Sequence, residues 1–189
     1  MTVLGSSVII CLGANLPSQF GPPAATLRRA LAHLSRIGLH VTAVSRFFLT
    51  PCFTADAGPD YVNAACVANT LLSPMDLLAA LHKVESKFGR TRHTRWAQRT
   101  LDLDLIAYDQ MILPNIDTFH RWADLALDHQ QISAPDRLIL PHPRLQDRAF
   151  VLIPLLDIAR DWQHPVTKHS VSDMAAALPA ADRALVRPI

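Results

Sequence analysis

Thr100-Leu101-Asp102-Leu103-Asp104-Leu105-Ile106-Ala107-Tyr108 alternates apolar and acidic residues, then turns wholly apolar. Side chains two apart on a strand share a face. A strand over 100–108 therefore buries Leu101, Leu103 and Leu105 on one side and projects Asp102 and Asp104 together from the other. Adjacent carboxylates repel unless a cation lies between or above them. Mg²⁺ suits the position, because it takes oxygen ligands and is commonly shared between carboxylates and phosphates. The same pattern also fits a solvent-facing strand edge kept soluble by its acids. The preceding loop favours the metal. Arg90, Arg92, Arg95 and Arg99 fall within ten residues that contain no acid, and arginines offer forked donors to phosphate oxygens. Acids holding a metal, with arginines on the remaining oxygens, is the pairing a polyphosphate needs. There is no GxxxxGK[ST] and no GxGxxG in the chain, so a nucleotide would be held in another way.

Working outward, Val8-Ile9-Ile10-Cys11-Leu12 reads as a buried strand stopping at Gly13-Ala14-Asn15. Pro22-Pro23 opens a helix with Leu27, Leu31, Leu34 and Ile37 on one stripe and Gly38 at its end. Leu39, Val41, Ala43, Phe47 and Leu49 read as one second strand ending at Thr50-Pro51, and a turn-rich loop runs from Pro51 to Pro59. A third strand covers 61–72. Ser73-Pro74-Met75-Asp76 then carries helix-start signals, ahead of a stripe of Leu77, Leu81, Val84 and Phe88 that Gly89 ends. With the strand over 100–108, the order is β-α-β-β-α-β: an α+β, ferredoxin-like core. Its antiparallel sheet is expected to carry both helices on one face, leaving the other face or its edge for a site. Beyond it, 114–135 is polar and reads as a surface insertion: a lid, a contact surface or an inert excursion. Residues 150–159 suggest a short apolar helix, and 163–189 a peripheral C-terminal tail with a weak helix at 172–178.

The length of 189 residues fits a single domain, 1–189. With 50% apolar and 18% charged residues the chain can bury a core and is not disordered. A net charge of +2 gives no global field for nucleic acid. Cys11, Cys52 and Cys66 form no CxxC and leave one over, so they read as thiols of a reducing compartment. The early apolar run is too short to span a bilayer and lacks the basic residues of a signal peptide. The expectation is a cytoplasmic, soluble protein. The nine histidines show no zinc spacing, and His33, His40, His164 and His169 are expected at the surface.

Two further clusters bear on binding. In Asp60-Tyr61-Val62-Asn63-Ala64-Ala65, Tyr61 and Asn63 share a strand face. A ring beside an amide suits a flat heterocycle, through stacking and paired donor and acceptor, and is equally an ordinary half-exposed strand. Pro141-His142-Pro143-Arg144 with Arg148-Ala149-Phe150 adds a His, arginines and a second aromatic.

Together these residues resemble the 6-hydroxymethyl-7,8-dihydropterin pyrophosphokinases of folate biosynthesis. The matching segments are Leu12-Gly13-Ala14-Asn15-Leu16, Thr50-Pro51, Asp60 to Ala65, Glu85, Gly89-Arg90, Arg95 to Asp104, Pro141-His142 and Arg148-Ala149-Phe150, in order from Ile9 to about Leu156. The resemblance implies a ferredoxin-like fold and transfer of the β,γ-diphosphate of ATP to the pterin hydroxymethyl group, releasing AMP. It implies two Mg²⁺ ions, held by Asp102 and Asp104. Arg90, Arg92 and Arg99, with the two aspartates, would be the catalytic set. Glu85, Arg95, Trp96, His142 and Arg148 would join those arginines around ATP. Tyr61 and Phe150 would sandwich the pterin, and Thr50, Pro51, Phe53, Asn63, Trp96 and Asp102 would line its edge. The general base is open between Asp104 and a hydroxyl acidified near the metal. ATP and the pterin would be the only partners, with no nucleic acid or membrane, on a monomer.

The sequence departs from the family at Ala97-Gln98, where Gly-Pro is usual, in a loop between Arg92 and Arg95 that is about one residue shorter, and in the 114–135 insertion. The alternative from another class is a ferredoxin-like module binding single-stranded nucleic acid on its sheet. The Asp102/Asp104 pair, on the face that would meet phosphate, speaks against it.

Overall fold

The structure is a computed structural model that describes residues 5–52, 58–90, 99–126, 129 and 135–189. Six strands form one sheet: β1 (Ser6–Ala14), β2 (Leu39–Val44), β3 (Phe48–Thr50), β4 (Tyr61–Thr70), β5 (Asp102–Tyr108) and the short β6 (Arg187–Pro188). The spatial order is β5-β1-β4-β3-β6, with β2 also paired to β4, and every pairing is antiparallel. The middle strands β1 and β4 are buried on both faces over most of their length, which is why their sequences are almost continuously apolar.

One face is a pure core. Val8, Ile10, Leu12 and Ala14 of β1, Val62, Ala64, Cys66 and Ala68 of β4, and Leu103 and Leu105 of β5 pack beneath two helices. Helix α1 (Pro23–Leu34) contributes Leu27, Ala30 and Leu34; α2 (Pro74–Lys87) contributes Leu77, Leu81 and Val84, followed by Phe88. The expected stop signals operate. Ser73 Oγ accepts the Asp76 amide at 3.2 Å, and Gly38 and Gly89 take positive φ of 88° and 86° where each helical run ends.

The two helices of the β-α-β-β-α-β core share one face as expected; the opposite face, expected to be left for a site, carries further helices. Helix α4 (Ala149–Ile158) and helix α5 (Val171–Ala177) cover Ile9, Cys11, Ala65 and Ile106 with Val151, Leu152, Leu155, Val171 and Met174. A helix that is apolar nearly all round, as α4 is, has to be buried. From the segment beyond 163, Val171, Met174, Ala175, Leu178 and Val186 join this second core, while most of its other residues are exposed. A short helix α6 (Ala180–Ala184) follows, and β6 returns to pair with β3.

Two other readings change. The second strand is two, because Val44 pairs with Cys66 while Phe48 pairs with Asn63, leaving an extra residue on this side. Ser45 fills the break by accepting the Ala65 amide on Oγ at 2.9 Å, and Arg46 grips Asp157 at the end of α4 with two bonds of 3.0 and 2.8 Å. Within the polar insertion, helix α3 (Ile116–Ala123) is capped by Asn115, whose Oδ1 accepts the Thr118 amide at 2.9 Å. Its Phe119 is 1% exposed and sits 5.2 Å, centroid to centroid, from His164, which is 0% exposed and so not at the surface. The His164 Nδ1 accepts the amides of Val166 and Thr167 at 3.2 Å each. Burial pushes its pKa down to about 4.

Candidate active site

Among the described residues, α4 and α5 cover the second face only part-way along. Past the N-terminus of α4, where β1, β4 and β5 run on, lie Asp102, Gly13 and Asn63 in one cross-strand row, with Asp104 and Cys11 in the adjoining row. Strand alternation thus carries the same face from an apolar core under α4 to a polar floor beyond it.

At the β5 edge, arginines grip the floor. Arg99 Nη1 bonds Asp102 Oδ2, and Arg90 Nη1 bonds both Asp102 Oδ1 and Glu85 Oε1. Glu85 is 1% exposed and also accepts the Leu103 amide at 2.8 Å. Its carboxylate lies beneath the site, pinning Arg90 to β5, and a buried charge of this kind is tolerated only when so partnered. Asp104 is looser: its side chain is 38% exposed, and its ion pair with Arg148 spans 3.8 Å.

Arg148 stands at the start of α4, its guanidinium 5.6 Å from the centre of the Phe150 ring. His142 is hydrogen-bonded onto β5 through its amide, 2.8 Å from the Ile106 oxygen. Burial first, then the Arg148 charge, pushes its pKa down to about 3, so the ring is neutral near pH 7. Its Nδ1 accepts the Arg144 amide at 3.1 Å, which leaves the proton on Nε2.

Toward β3 the floor changes character. Asn63 Nδ2 donates to Thr50 Oγ1 at 2.7 Å, and Tyr61 pairs with Thr50 across the strands. Burial raises the Tyr61 pKa, keeping the phenol neutral. Between the two ends lies Gly13. A Cβ there would stand 3.0 Å from Asn63 Oδ1, 3.9 Å from Tyr61 Cδ1 and 4.0 Å from the Asp102 Cβ. The missing side chain leaves a flat recess between the amide and the carboxylate.

Residues 9–160 match the family model described as 7,8-dihydro-6-hydroxymethylpterin-pyrophosphokinase (HPPK). The chain belongs to that family. A 2-amino-4-hydroxy-6-hydroxymethyldihydropteridine pyrophosphokinase of Synechocystis sp. is 37% identical over 83% of this chain and 68% of its own length. The enzymes of the same name from Haemophilus influenzae and Pseudomonas aeruginosa are each 35% identical. They cover 82% and 91% of this chain, and 83% and 91% of their own lengths. A solved Plasmodium falciparum HPPK-DHPS superposes with a TM-score of 0.63 at 12% identity, covering 91% of this chain. The chain spans only 44% of that longer protein, and at this identity the likeness shows the fold. Membership makes this an ATP-using pyrophosphokinase of folate biosynthesis, in a family that generally uses Mg²⁺. The nucleic-acid-binding alternative finds no support.

For an HPPK, the residues singled out in the sequence fall into two groups. Asp102, Asp104, Glu85, Arg90, Arg99, His142 and Arg148 gather at the β5 side; Thr50, Asn63 and Tyr61 lie toward β3, and Pro51 is exposed just past it. Phe150 is partly buried on the first turn of α4. Arg92, Arg95, Trp96 and Phe53 lie outside the described residues, as do Ala97 and Gln98.

The donor set suits magnesium. Among the described residues no group of three or more His, Cys, Asp or Glu could hold a metal. Mg²⁺ characteristically takes one or two carboxylates and completes its shell with phosphate and water.

Sequence reasoning gave no role to two residues that shape the site. Gly13, read as part of a turn, lies within β1, and a glycine inside a strand was the available signal. Asn15 is 2% exposed and ties three segments together. Its Oδ1 accepts the Arg99 amide at 2.8 Å, its Nδ2 donates to the Pro59 oxygen at 3.2 Å, and its own amide donates to the Arg99 oxygen at 3.0 Å. Nothing local in the sequence marks that clamp.

Proposed function

We propose that the open end of the second sheet face is a single active site. There the hydroxymethyl oxygen of 6-hydroxymethyl-7,8-dihydropterin attacks the β-phosphorus of ATP. An O–P bond forms, the bond from the β-phosphorus to the α-phosphate oxygen breaks, AMP leaves, and the hydroxyl loses its proton. The observation that carries this reading is the change along one face, from paired carboxylates ringed by arginines to an amide, a phenol and a hydroxyl.

Asp102 and Asp104 would hold Mg²⁺, and the resemblance to the family implies two ions. When bound, the metal neutralises phosphate charge and acidifies nearby oxygens. The chain's own residues do the rest. Among the described residues, Arg90, Arg99 and Arg148 are matched by Glu85, Asp102 and Asp104. With Asp102 and Asp104 given over to the metal they would hold, Arg90 and Arg99 would turn to phosphate oxygens without stranding a charge. His142 donates through Nε2–H, and Arg148 supplies a fork for phosphate. Asp104, the less tightly held carboxylate, is available to take the hydroxyl proton. Tyr61 and Phe150 stack on the pterin, while Asn63 and Thr50 read its edge. Phosphoryl transfer needs little beyond this positioning and electrostatics.

Arg92, Arg95 and Trp96 complete the ATP side in this reading, and Phe53, Pro51 and Trp96 the pterin side. In this reading the protein works as a cytoplasmic monomer. Among the described residues no helix is long and apolar enough to cross a membrane.

The test is to incubate protein, ATP, Mg²⁺ and the pterin, and to quantify nucleotide products. AMP and pterin diphosphate in equal amounts are expected. ADP as the product would mean attack at the γ-phosphorus and would overturn the reading.

A further inference from the structure

Helix α3 has no part in the reaction as described, yet its C-terminal end is bonded to the turn that carries His142 and Arg148. The last carbonyls of a helix lack partners within it, and that end carries partial negative charge. Arg144 supplies the missing donor: its Nη1 donates to the Ala123 oxygen at 2.9 Å and reaches the Leu125 oxygen at 3.5 Å. Its Nη2 pairs with Asp147, closing the single 3₁₀ turn Leu145–Asp147. Its own amide donates to His142 Nδ1 at 3.1 Å. One residue thus joins the end of α3, the ring of His142 and the turn that leads into Arg148. The helix in turn is fixed by Phe119, buried against the His164 ring.

We propose that Arg144 is a positioning residue for ATP, using the C-terminus of α3 as an anchor for the turn over 142–148. Helix α3 is then a brace for the nucleotide side of the site. Arg144 itself touches no substrate: its side chain points to α3 and to Asp147, and its amide holds the tautomer of His142. The inference rests on ATP meeting His142 and Arg148, as in the reading above.

The test measures binding of Mg²⁺–α,β-methylene-ATP and of the pterin, separately, by calorimetry on the full chain. Arg144→Ala should raise the Kd of the nucleotide analogue about tenfold and leave that of the pterin within twofold. Arg144→Lys, a point charge without the fork, should fall between wild type and Ala; it carries the test if the Ala variant does not fold. Phe119→Ala, which loosens α3 from its contact with His164, should give the same nucleotide-selective loss. The double variant should be no worse than the worse single variant, because both act through one element. Equal losses for both ligands would mean a merely structural residue and would overturn the inference. So would an unchanged nucleotide Kd in Arg144→Ala while Arg148→Ala weakens it. If His142→Ala and Arg148→Ala also leave it unchanged, the placement of ATP falls as well.

Discussion

The two faces of the central sheet are built from the same strands and end differently. On the face under α1 and α2, every inward residue from Val8 to Ala14 is apolar and buried. On the other, Ile9 and Cys11 lie under α4 and α5, and Gly13 follows, buried between the polar side chains of Asp102 and Asn63. A strand cannot give its two faces the same environment unless both are covered along their whole length. Here the apolar cluster under α4 and α5 takes in Ile9 and Cys11 and stops short of the polar row of Asp102, Gly13 and Asn63. The site is therefore carried on strands whose reverse sides are locked in a core, a rigid base for positioning charge.

The sharpest way to break that comparison is to substitute neighbours on opposite faces of β5. Asp102→Ala should lower turnover at least about a thousandfold, by removing the carboxylate that two arginines grip and that the proposed reading gives to the metal, while the protein stays folded. Turnover and thermal melting together check this; near-wild-type rates would separate Asp102 from the chemistry. Leu103→Ala, one residue on and facing the core, should do the reverse. It should cost about 3 kcal/mol of stability with most of the activity per folded molecule kept, as denaturant titration would show.

A finer probe is Gly13→Ala. The new methyl, 3.0 Å from Asn63 Oδ1, fills the recess from below. Pterin affinity should drop about tenfold with a smaller change in nucleotide affinity, measured by ligand titration.

The smallest effect sharpens the contrast between core and site histidines. The pKa of His164 is lowered to about 4 in the folded protein, so the unfolded chain binds more protons between there and the ordinary value near 6.5. Its contribution is fully present above about pH 6.5 and is lost as pH falls toward 4, about 3 kcal/mol in all. His142, lowered to about 3, acts in the same direction. Melting temperature should fall on acidification from pH 7 to 4.5, and less steeply in His164→Phe. Parallel slopes for the two proteins would remove His164 as a source of the pH dependence.

Much of this was legible because it is local. The Leu-Asp alternation in 101–105 put the acids on one face, and the turn signals at Ser73, Gly38 and Gly89 set the helix limits. What was not legible depends on distant partners. The apolar composition of α4 announces burial without saying which face it covers, and only its docking makes the site an open end rather than an open face. The break at Ser45 depends on Ala65 and Asp157, far along the chain. His164 is buried because Phe119 from the insertion reaches it. Glu85 was marked as a site residue, but its position beneath Arg90 follows from the register of α2 against β5.

The most direct measurement is a crossed pair of binding titrations, with Mg²⁺–α,β-methylene-ATP and with the pterin, on Asp104→Ala and Tyr61→Ala. One continuous face with a phosphate end and a heterocycle end predicts opposite outcomes. Asp104→Ala should lose nucleotide affinity and keep pterin affinity within a few-fold, and Tyr61→Ala should do the converse. If both variants lose both ligands equally, the two ends are not separate binding surfaces, and the division of the face into phosphate and pterin halves is wrong.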